Sequence, residues 1–359
     1  MSKMCRFDEL ESLHLEITSR CNASCPMCPR NLSGGAKNPN LPDAELSLED
    51  AKKIFTREFI GKLKQMYLCG NYGDAMVAQD TLEILRYFRQ SNPSINLGMH
   101  TNASGRSKDW WSQLASVVNY CQFGIDGLED TNHLYRRHTV WKSVMASAKA
   151  FIEAGGTAEW QFIVFRHNEH QVQDAMNLAK TMGFKRFNIV KTTRFFGGKR
   201  SKFDVLNQQG QKEYEIEPPQ DSNFINEKVI ELKDSISTKM NYEEYLDQTK
   251  ITCKAILKKE IYVNSQGYVF PCCYTGHIYP KIENPAWLPF LKLLRVHGGE
   301  EIIDAKLNSI QNIVDGEFYQ VELPKTWALE SVGQGKLALC AVHCGECSPI
   351  ESQSNKIKI

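Results

Sequence analysis

The sequence predicts an α/β protein whose main part is a partial (β/α)6 TIM-like barrel, followed by a small C-terminal α+β domain. The first indication is that short apolar runs alternate with helical stretches up to about residue 195. The second is that Gly155-Gly156 and Gly183 follow two helical stretches, where helices commonly end. Such alternation favours a parallel sheet covered by helices. Six units are too few for a closed eight-unit barrel.

The individual elements follow from this alternation in chain order. Ser47 caps a helix of roughly residues 48–60, with Glu49 and Asp50 in its first turn. The strands are predicted at residues 13–18, 66–69, 95–99, 121–125, 160–165 and 187–190. The other helices are predicted at residues 81–90, 107–118, 140–154 and 169–182.

The rest of the chain is predicted to hold a connector and a smaller domain. The division is residues 1–195 for the barrel, 196–250 for the connector, 251–350 for the C-terminal domain and 351–359 for a mobile tail. The connector is expected to be irregular apart from a helical run near residues 224–236. In the C-terminal domain the apolar runs at 260–263 and 268–270 flank Asn264-Ser265-Gln266-Gly267, which is typical of a β-hairpin.

Composition narrows the class of protein. The chain has 359 residues, a formal net charge of +1, 42% hydrophobic and 24% charged residues, which is ordinary for a globular protein. A near-neutral balance predicts no long nucleic acid and no anionic membrane as partner. The chain has no apolar signal region, and its twelve cysteines therefore indicate reduced, metal-binding thiols. We expect a cytoplasmic protein.

Three of the cysteines lie in one tight loop directly after the first predicted strand. Cys21, Cys25 and Cys28 have the spacing Cys-x3-Cys-x2-Cys, so their thiolates can converge on one soft metal centre. Three thiolates on a [4Fe–4S] cluster leave the fourth iron free to bind a small molecule. The alternatives are a structural zinc knuckle or three buried apolar cysteines. Structural zinc usually takes four protein ligands, so the spacing favours iron and sulfur.

This motif, placed after an N-terminal strand, resembles the radical S-adenosylmethionine (radical SAM) superfamily. In that family the fourth iron chelates the methionyl amine and carboxylate of S-adenosylmethionine (SAM). The resemblance implies that Cys21, Cys25 and Cys28 hold the catalytic cluster, with Met27 beside the cofactor.

The end of the second predicted strand supports the resemblance. Its sequence, Leu68-Cys69-Gly70-Asn71-Tyr72-Gly73-Asp74, is similar to the Gly-Gly-Glu-like element whose backbone meets the methionyl ammonium group in that family. The resemblance implies contacts from Gly70, Asn71, Gly73 and Asp74, although Asp74 stands where Glu is common. A plain glycine turn is the alternative. Glycine suits the site because the backbone must approach a ligand closely.

Two further strand ends follow in the same order. His100-Thr101-Asn102-Ala103 resembles the family's Thr-Asn-Gly, and Gly124-Ile125-Asp126-Gly127 resembles Ser-Ile-Asp-Gly. The residues implied are Thr101 and Asn102 near the cofactor, and Asp126 as an acceptor from ribose hydroxyls. Gln161 and Arg166 are candidate adenosine or carboxylate contacts. For these two, a surface or core polar residue is an equal alternative.

The C-terminal cysteines resemble the twitch domain, a shortened SPASM domain that carries one auxiliary [4Fe–4S] cluster. The resemblance assigns this cluster to Cys253, Cys272, Cys344 and Cys347, with Cys340 and Cys273 as possible substitutes. A zinc site built from the same four thiols is the alternative. The remaining cysteines are predicted to be small buried hydrophobic residues, namely Cys5, Cys69 and Cys121.

The function implied is that of a radical SAM oxidoreductase with two clusters. In the family the reduced cluster donates one electron to the sulfonium of SAM, and the resulting 5′-deoxyadenosyl radical abstracts a substrate hydrogen. The auxiliary cluster then takes an electron from the substrate radical, giving a two-electron oxidation or bond formation. The acid or base is expected among His100, Lys191 and Arg194. An external electron donor of the flavodoxin or ferredoxin type is implied.

The sequence constrains the identity of the substrate less than it constrains the type of reaction. Cys21 comes too early for a separate N-terminal peptide-recognition domain, which favours a small molecule or a nucleotide. One alternative is an enzyme that modifies a peptide or protein. The other, from a different class, is a non-catalytic protein that binds zinc or clusters without SAM.

Overall fold

The computed structural model of the protein describes residues 3–195, 202–231, 241–279, 288–346 and 354–359. Its strands are β1 (Ser12–Leu15), β2 (Gln65–Leu68), β3 (Asn96–Thr101), β4 (Tyr120–Gly124), β5 (Ala158–Val164), β6 (Arg186–Lys191), β7 (Phe203–Leu206), β8 (Lys212–Ile216), β9 (Glu260–Val263), β10 (Val269–Phe270) and β11 (Ser354–Lys358).

The central sheet has nine strands in the described part of the chain, in the order β10-β9-β1-β2-β3-β4-β5-β6-β11. Strands β1 to β6 are parallel to one another, and β9 is parallel to β1 on its other side. The two edge strands, β10 and β11, are antiparallel. This order, with helical connections between the parallel strands, is a partial barrel, and the predicted fold class is confirmed.

The helices of the described residues lie between and after these strands in the chain. They are α1 (Leu48–Ile54), α2 (Arg57–Lys62), α3 (Thr81–Ser91), α4 (Lys108–Val117), α5 (Asn132–Tyr135), α6 (Trp141–Glu153), α7 (Val172–Met182), α8 (Tyr242–Gln248), α9 (Lys254–Lys258), α10 (Leu288–Val296), α11 (Ile310–Asp315), α12 (Leu323–Trp327) and α13 (Ala338–Cys344). A π-helical turn spans Phe318–Glu322. None of the helices in the described residues is both long and apolar enough to cross a bilayer.

The two faces of the sheet differ sharply in polarity. Outward side chains such as Leu13, Met66 and Leu97 are fully buried beneath the helices. Successive side chains of a strand point to opposite faces, so the residues between these share the inner face. The inner positions carry Ser12, His14, Gln65, Tyr67, His100, Tyr120, Gln122, Glu159, Gln161, Arg186, Asn188, Glu260 and Tyr262.

Most predicted elements are confirmed within one or two residues, but the first helix is two helices. The predicted helix at 48–60 divides at Phe55 and Thr56 into α1 and α2. The Thr56 side chain accepts a hydrogen bond from the Phe59 amide at 3.2 Å and so caps α2. A residue that can cap a helix competes with continuing the previous one.

Two segments outside the barrel strands differ from expectation, and a third agrees with it. The connector contains the antiparallel pair β7 and β8, and part of its predicted helix near 224–236 lies outside the described residues. The predicted tail contains β11, which pairs with β6 over Ser354 to Lys358. Strands β8 and β11 were missed because most of their residues are polar or charged, and β7 was missed because it is only four residues long. The predicted hairpin at 260–270 is confirmed, and its β9 extends the barrel sheet beside β1. The division into domains stays a prediction.

Candidate active site

The three early cysteines line one cavity at the carboxyl end of the parallel strands. The chain leaves β1 and turns tightly, with the Cys28 amide donating to the Cys25 carbonyl at 3.0 Å. All three cysteines contact a cavity of about 340 Å³, which we call the upper cavity. Its other walls come from residues that follow β2, β3 and β4. Because parallel strands end at the same edge, residues far apart in sequence meet here.

The thiols of this loop sit in a desolvated environment beside one cation. Burial raises the pKa of Cys25 to about 11, against the opposing effect of the Arg136 guanidinium. Arg136 Nη1 lies 4.0 Å from Cys25 Sγ, and its Nε pairs with the Asp126 carboxylate at 2.5 Å. Burial likewise raises the pKa of Cys21. Burial therefore disfavours the thiolate form at this site, and a bound metal cation would favour it.

The donor set fits an iron–sulfur cluster better than a single ion. No group of three or more Cys, His, Asp or Glu side chains in the described residues is arranged to hold one metal ion. The ligands of a four-iron cluster surround the whole cluster and must therefore stand further apart than those of one ion. Cys69, from the end of β2, also lines this cavity, together with Asp74, His100 and His277. The three early thiols come from one loop, and thiolates are the ligands that suit a soft cluster of this size.

The glycine-rich turn after β2 is held by a buried carboxylate. Glu16 accepts hydrogen bonds from the amides of Tyr72 at 2.7 Å and Gly73 at 2.8 Å. The Tyr262 hydroxyl on β9 donates to its other oxygen. Burial raises the pKa of Glu16, against these hydrogen bonds. A Cβ atom at Gly73 would lie 1.7 Å from the Thr18 carbonyl oxygen, so the turn requires glycine there.

Asp74 and Asn102 tie the next two strand ends to the cysteine loop. Asp74 accepts from the Thr101 hydroxyl at 3.1 Å and from the Asn102 amide at 2.7 Å. Asn102 Nδ2 in turn lies 3.6 Å from Cys21 Sγ and 3.0 Å from Asn22 Oδ1. The carboxylate therefore positions a side chain that reaches a candidate cluster ligand.

Most of the predicted cofactor contacts line the upper cavity. They are Met27, Gly70, Asn71, Gly73, Asp74, Thr101, Asn102 and Gln161. Of the candidate acids and bases, His100 and Arg194 line it and Lys191 does not. Burial lowers the pKa of His100 to about 4, so its imidazole is neutral near pH 7.

Two predicted contacts lie elsewhere. Asp126 is 0% exposed, and its carboxylate accepts from Arg136 and from the Ile163 amide at 2.6 Å. Arg166 pairs with Glu217 at 2.6 Å, half-exposed and outside the cavity wall. Their predicted cofactor contacts stay predictions. Arg136 stands between Asp126 and the cavity.

Sequence reasoning missed Glu16, Gln122 and His277. The sequence carried a signal for Glu16 and Gln122, because each is a polar residue at an alternate position of an otherwise apolar predicted strand. His277 had none. It reaches the upper cavity from the C-terminal part of the chain, where its ring packs edge-on against Tyr72 at 5.5 Å. Burial lowers the pKa of His277 to about 4.

The C-terminal thiols form a second group, away from the upper cavity. Cys253 precedes α9, Cys272 follows β10 and Cys344 ends α13. The Cys253 and Cys344 side chains are hydrogen-bonded to each other, which raises the pKa of Cys253 and lowers that of Cys344. Burial and then the neighbouring thiols of Cys272 and Cys344 raise the pKa of Cys340. Cys340 therefore belongs to this group.

The two other C-terminal cysteines are Cys347 and Cys273. Cys347 lies outside the described residues. The carbonyl of Cys273 accepts a hydrogen bond from Asn71 Nδ2 at 2.7 Å. Burial and then the nearby thiols of Cys272 and Cys69 raise the pKa of Cys273. This neighbourhood places Cys273 beside the barrel interior.

Residues 15–179 match the family model described as the radical SAM superfamily. The matched segment covers slightly less than half of the chain. It contains the three early cysteines and the ends of β1 to β5. No curated protein sequence matches the chain. The resemblance of the C-terminal cysteines to a twitch or SPASM domain stays a prediction.

The chain is similar in fold to solved structures of low sequence identity. A hexahistidine-tagged anSMEcpe with bound AdoMet is 14% identical, with a TM-score of 0.53 over 94% of this chain and 85% of that one. Native anSMEcpe with bound AdoMet and the Kp18Cys peptide is 12% identical, with a TM-score of 0.52 over 93% and 88%. Streptococcus suis SuiB bound to S-adenosylmethionine is 14% identical, with a TM-score of 0.47 over 73% of this chain and only 60% of SuiB. At these identities the likeness shows the fold alone.

Proposed function

We propose that the protein is a radical SAM enzyme that cleaves SAM reductively and abstracts a hydrogen atom from its substrate. The observation that carries the proposal is that Cys21, Cys25 and Cys28 face the same cavity as the turn of Gly70 and Gly73. A cluster ligand set and a backbone suited to close approach of a ligand thus meet within the segment that matches the radical SAM family model.

The protein residues would hold and orient the reacting groups. Cys21, Cys25 and Cys28 would hold the cluster, and the glycine turn supported by Glu16 would receive the methionyl group. When bound, a reduced [4Fe–4S] cluster supplies one electron to the sulfonium of SAM, which releases the 5′-deoxyadenosyl radical. Arg136 would offset the negative charge of the Cys25 thiolate. Asn102, held by Asp74, would orient the Cys21 sulfur.

We further propose that the C-terminal thiols hold an auxiliary [4Fe–4S] cluster. The support is that Cys253, Cys272 and Cys344 come from three segments and influence one another's ionisation. Cys347 is the fourth ligand in this proposal, and Cys340 is its substitute, since Cys340 belongs to the same group. Such a cluster would accept an electron from the substrate radical, giving an oxidation or bond formation. A flavodoxin or ferredoxin would reduce the enzyme.

The proposed substrate is a small molecule or a nucleotide. The support is that many of the side chains around the upper cavity are polar, which suits a polar ligand beside SAM. The second candidate is a peptide. Its support is that anSMEcpe, which shares the fold at a TM-score of 0.52, was solved with a bound Kp18Cys peptide.

Anaerobic purification tests the proposal. We expect a brown protein that binds roughly eight irons, from two four-iron clusters, and forms 5′-deoxyadenosine when dithionite and SAM are added. A colourless protein loaded with zinc, with no SAM cleavage, would instead support the non-catalytic alternative.

A further inference from the structure

A second cavity lies on the inner face of the sheet, at the opposite ends of the strands. Its volume is about 540 Å³, and we call it the lower cavity. Its walls include the first residues of β2, β3, β4 and β9, namely Gln65, Asn96, Tyr120 and Glu260. His100 and Gln122 line both cavities. The two cavities therefore meet across one layer of polar side chains.

The polarity of this interior shows that it is not a packed core. Closed barrels of eight units fill their centre with bulky branched apolar side chains. Here the corresponding layer holds His14 stacked on Tyr67 at 4.5 Å, and Gln122 Nε2 lies 3.3 Å from His100 Nδ1. His14 Nδ1 and Asn188 Oδ1 are buried without a hydrogen-bond partner in the structure. Buried polar atoms of this kind are usually satisfied by water or a ligand.

Glu260 is the charged group that points to a ligand class. It is 7% exposed, and its two hydrogen bonds, from the Ser12 and Tyr67 hydroxyls at 3.0 Å, both reach Oε2. No Lys or Arg of the described chain pairs with it, whereas Glu159 in the same cavity pairs with Arg186 at 2.7 Å. A buried carboxylate without a cation is costly unless a ligand supplies one.

The mouth of the lower cavity carries the opposite charge. Lys258 and Lys356 are exposed, line the cavity and make no ion pair within the part of the chain that the structure describes. They come from the two sides of the sheet, before β9 and within β11. A purely cationic ligand would be repelled at this entrance, so a matching ligand carries an anionic group as well.

We propose that the lower cavity binds a small zwitterion whose ammonium group pairs with Glu260 and whose anionic group lies toward Lys258 and Lys356. That this molecule is the substrate rests on the proposed function, since His100 and Gln122 line both this cavity and the upper cavity. The chemical class is an ω-amino acid or a related amine bearing a carboxylate or phosphate.

Ligand-observed NMR on the full, anaerobically purified chain tests the site. The probes are ω-amino acids from 3-aminopropanoate to 8-aminooctanoate, with hexanoate and hexylamine as single-charge analogues. We expect at least one ω-amino acid to bind, and hexanoate to bind at least tenfold more weakly. Glu260→Gln should weaken the bound ω-amino acid by about tenfold to a hundredfold, as for a lost charged hydrogen bond. The surface control Glu83→Gln should not.

A charge reversal at the mouth provides a second variant that leaves the interior intact. Lys258→Glu should weaken ω-amino acid binding and strengthen hexylamine binding, because it changes only the sign of the charge at the entrance. Absence of binding by every ω-amino acid, or equal affinity in folded Glu260→Gln, would overturn the proposal. So would a Lys258→Glu variant that leaves both classes of probe unaffected.

These measurements use neither SAM nor a reductant. A chain that binds ω-amino acids through Glu260 but forms no 5′-deoxyadenosine would contradict the proposed function only. A chain that cleaves SAM but binds the probes independently of Glu260 would contradict the zwitterion site only.

Discussion

The two groups of cysteines are built in opposite ways. Cys21, Cys25 and Cys28 belong to one loop and face a cavity, with Arg136 beside them. The C-terminal group is assembled from segments before α9, after β10 and within α13, and there the Cys253 and Cys344 side chains are hydrogen-bonded to each other. The first group faces space that a small molecule can enter. In the second group, the cysteine side chains contact one another.

This difference separates the roles we propose for them. Three thiolates from one loop leave a fourth position to a ligand, which is what SAM chemistry needs. Thiols from several segments that meet one another leave less room for a ligand, which suits electron transfer. The first arrangement depends on local spacing, and the second depends on the fold of the whole C-terminal region.

The largest expected effect comes from Cys25→Ala. The cavity-facing set would lose a ligand, so 5′-deoxyadenosine formation should fall to background and about four of eight irons should be lost. Iron analysis and chromatographic assay of 5′-deoxyadenosine measure both. The control is Cys121→Ala, since Cys121 is fully buried on the outer face of β4 and should keep both clusters. Cleavage that survives Cys25→Ala would show that our ligand assignment is wrong.

Cys344→Ala should separate SAM cleavage from substrate turnover. Iron should again fall by about four atoms, but SAM cleavage should persist in part, because the early loop keeps all its thiols. Substrate turnover should stop. If Cys344→Ala retained its full iron content, the proposed contrast would be wrong. That contrast is between the early cysteines, which face a cavity, and the C-terminal cysteines, which contact one another.

Arg136 tests the electrostatics of the early loop. Arg136→Gln should leave the Asp126 carboxylate buried without a cation and lower the free energy of unfolding by about 3–5 kcal/mol. The matched control is Arg166→Gln, whose partner Glu217 is partly exposed, with an expected loss below about 1 kcal/mol. Urea denaturation compares them. Equal losses would mean that burial of the Arg136 pair has no energetic consequence.

The smallest expected effect concerns pH. Burial lowers the pKa of His277 beside the upper cavity to about 4, and that of His343 beside the C-terminal thiols to about 3. Both rings are neutral when folded, so each contributes stability that is complete above pH 6.5 and is lost as pH falls toward the folded pKa. The loss is about 1.4 kcal/mol per pH unit for each histidine.

Single substitutions measure these contributions. The slope of unfolding free energy between pH 6.5 and 5 should become shallower in His277→Gln and, separately, in His343→Gln. Comparison of slopes is needed because the buried carboxyls of Glu16 and Asp74, whose pKa values are raised by burial, act in the opposite direction on acidification. An unchanged slope in both variants would show that neither histidine is neutral in the folded protein.

The barrel and its first site were largely readable from the chain. Apolar alternation placed the strands that became β2 to β6, and the Cys-x3-Cys-x2-Cys spacing placed three thiols in one loop. The same alternation marks the polar inner positions, such as Glu16 and Gln122. Covalent spacing and the two-residue period of a strand hold in any fold, so these features needed no tertiary information.

Other features arose only from chain packing. The pairing of β9 with β1 brings Tyr262 to Glu16, although 246 residues separate them. It also places Glu260 opposite Ser12 in the interior, and it lets the segment after β10 bring His277 to the upper cavity. No local pattern encodes which strand lies beside β1, because that choice depends on the burial of many side chains at once. The sequence determined which groups could react, and the sheet order decided which of them meet.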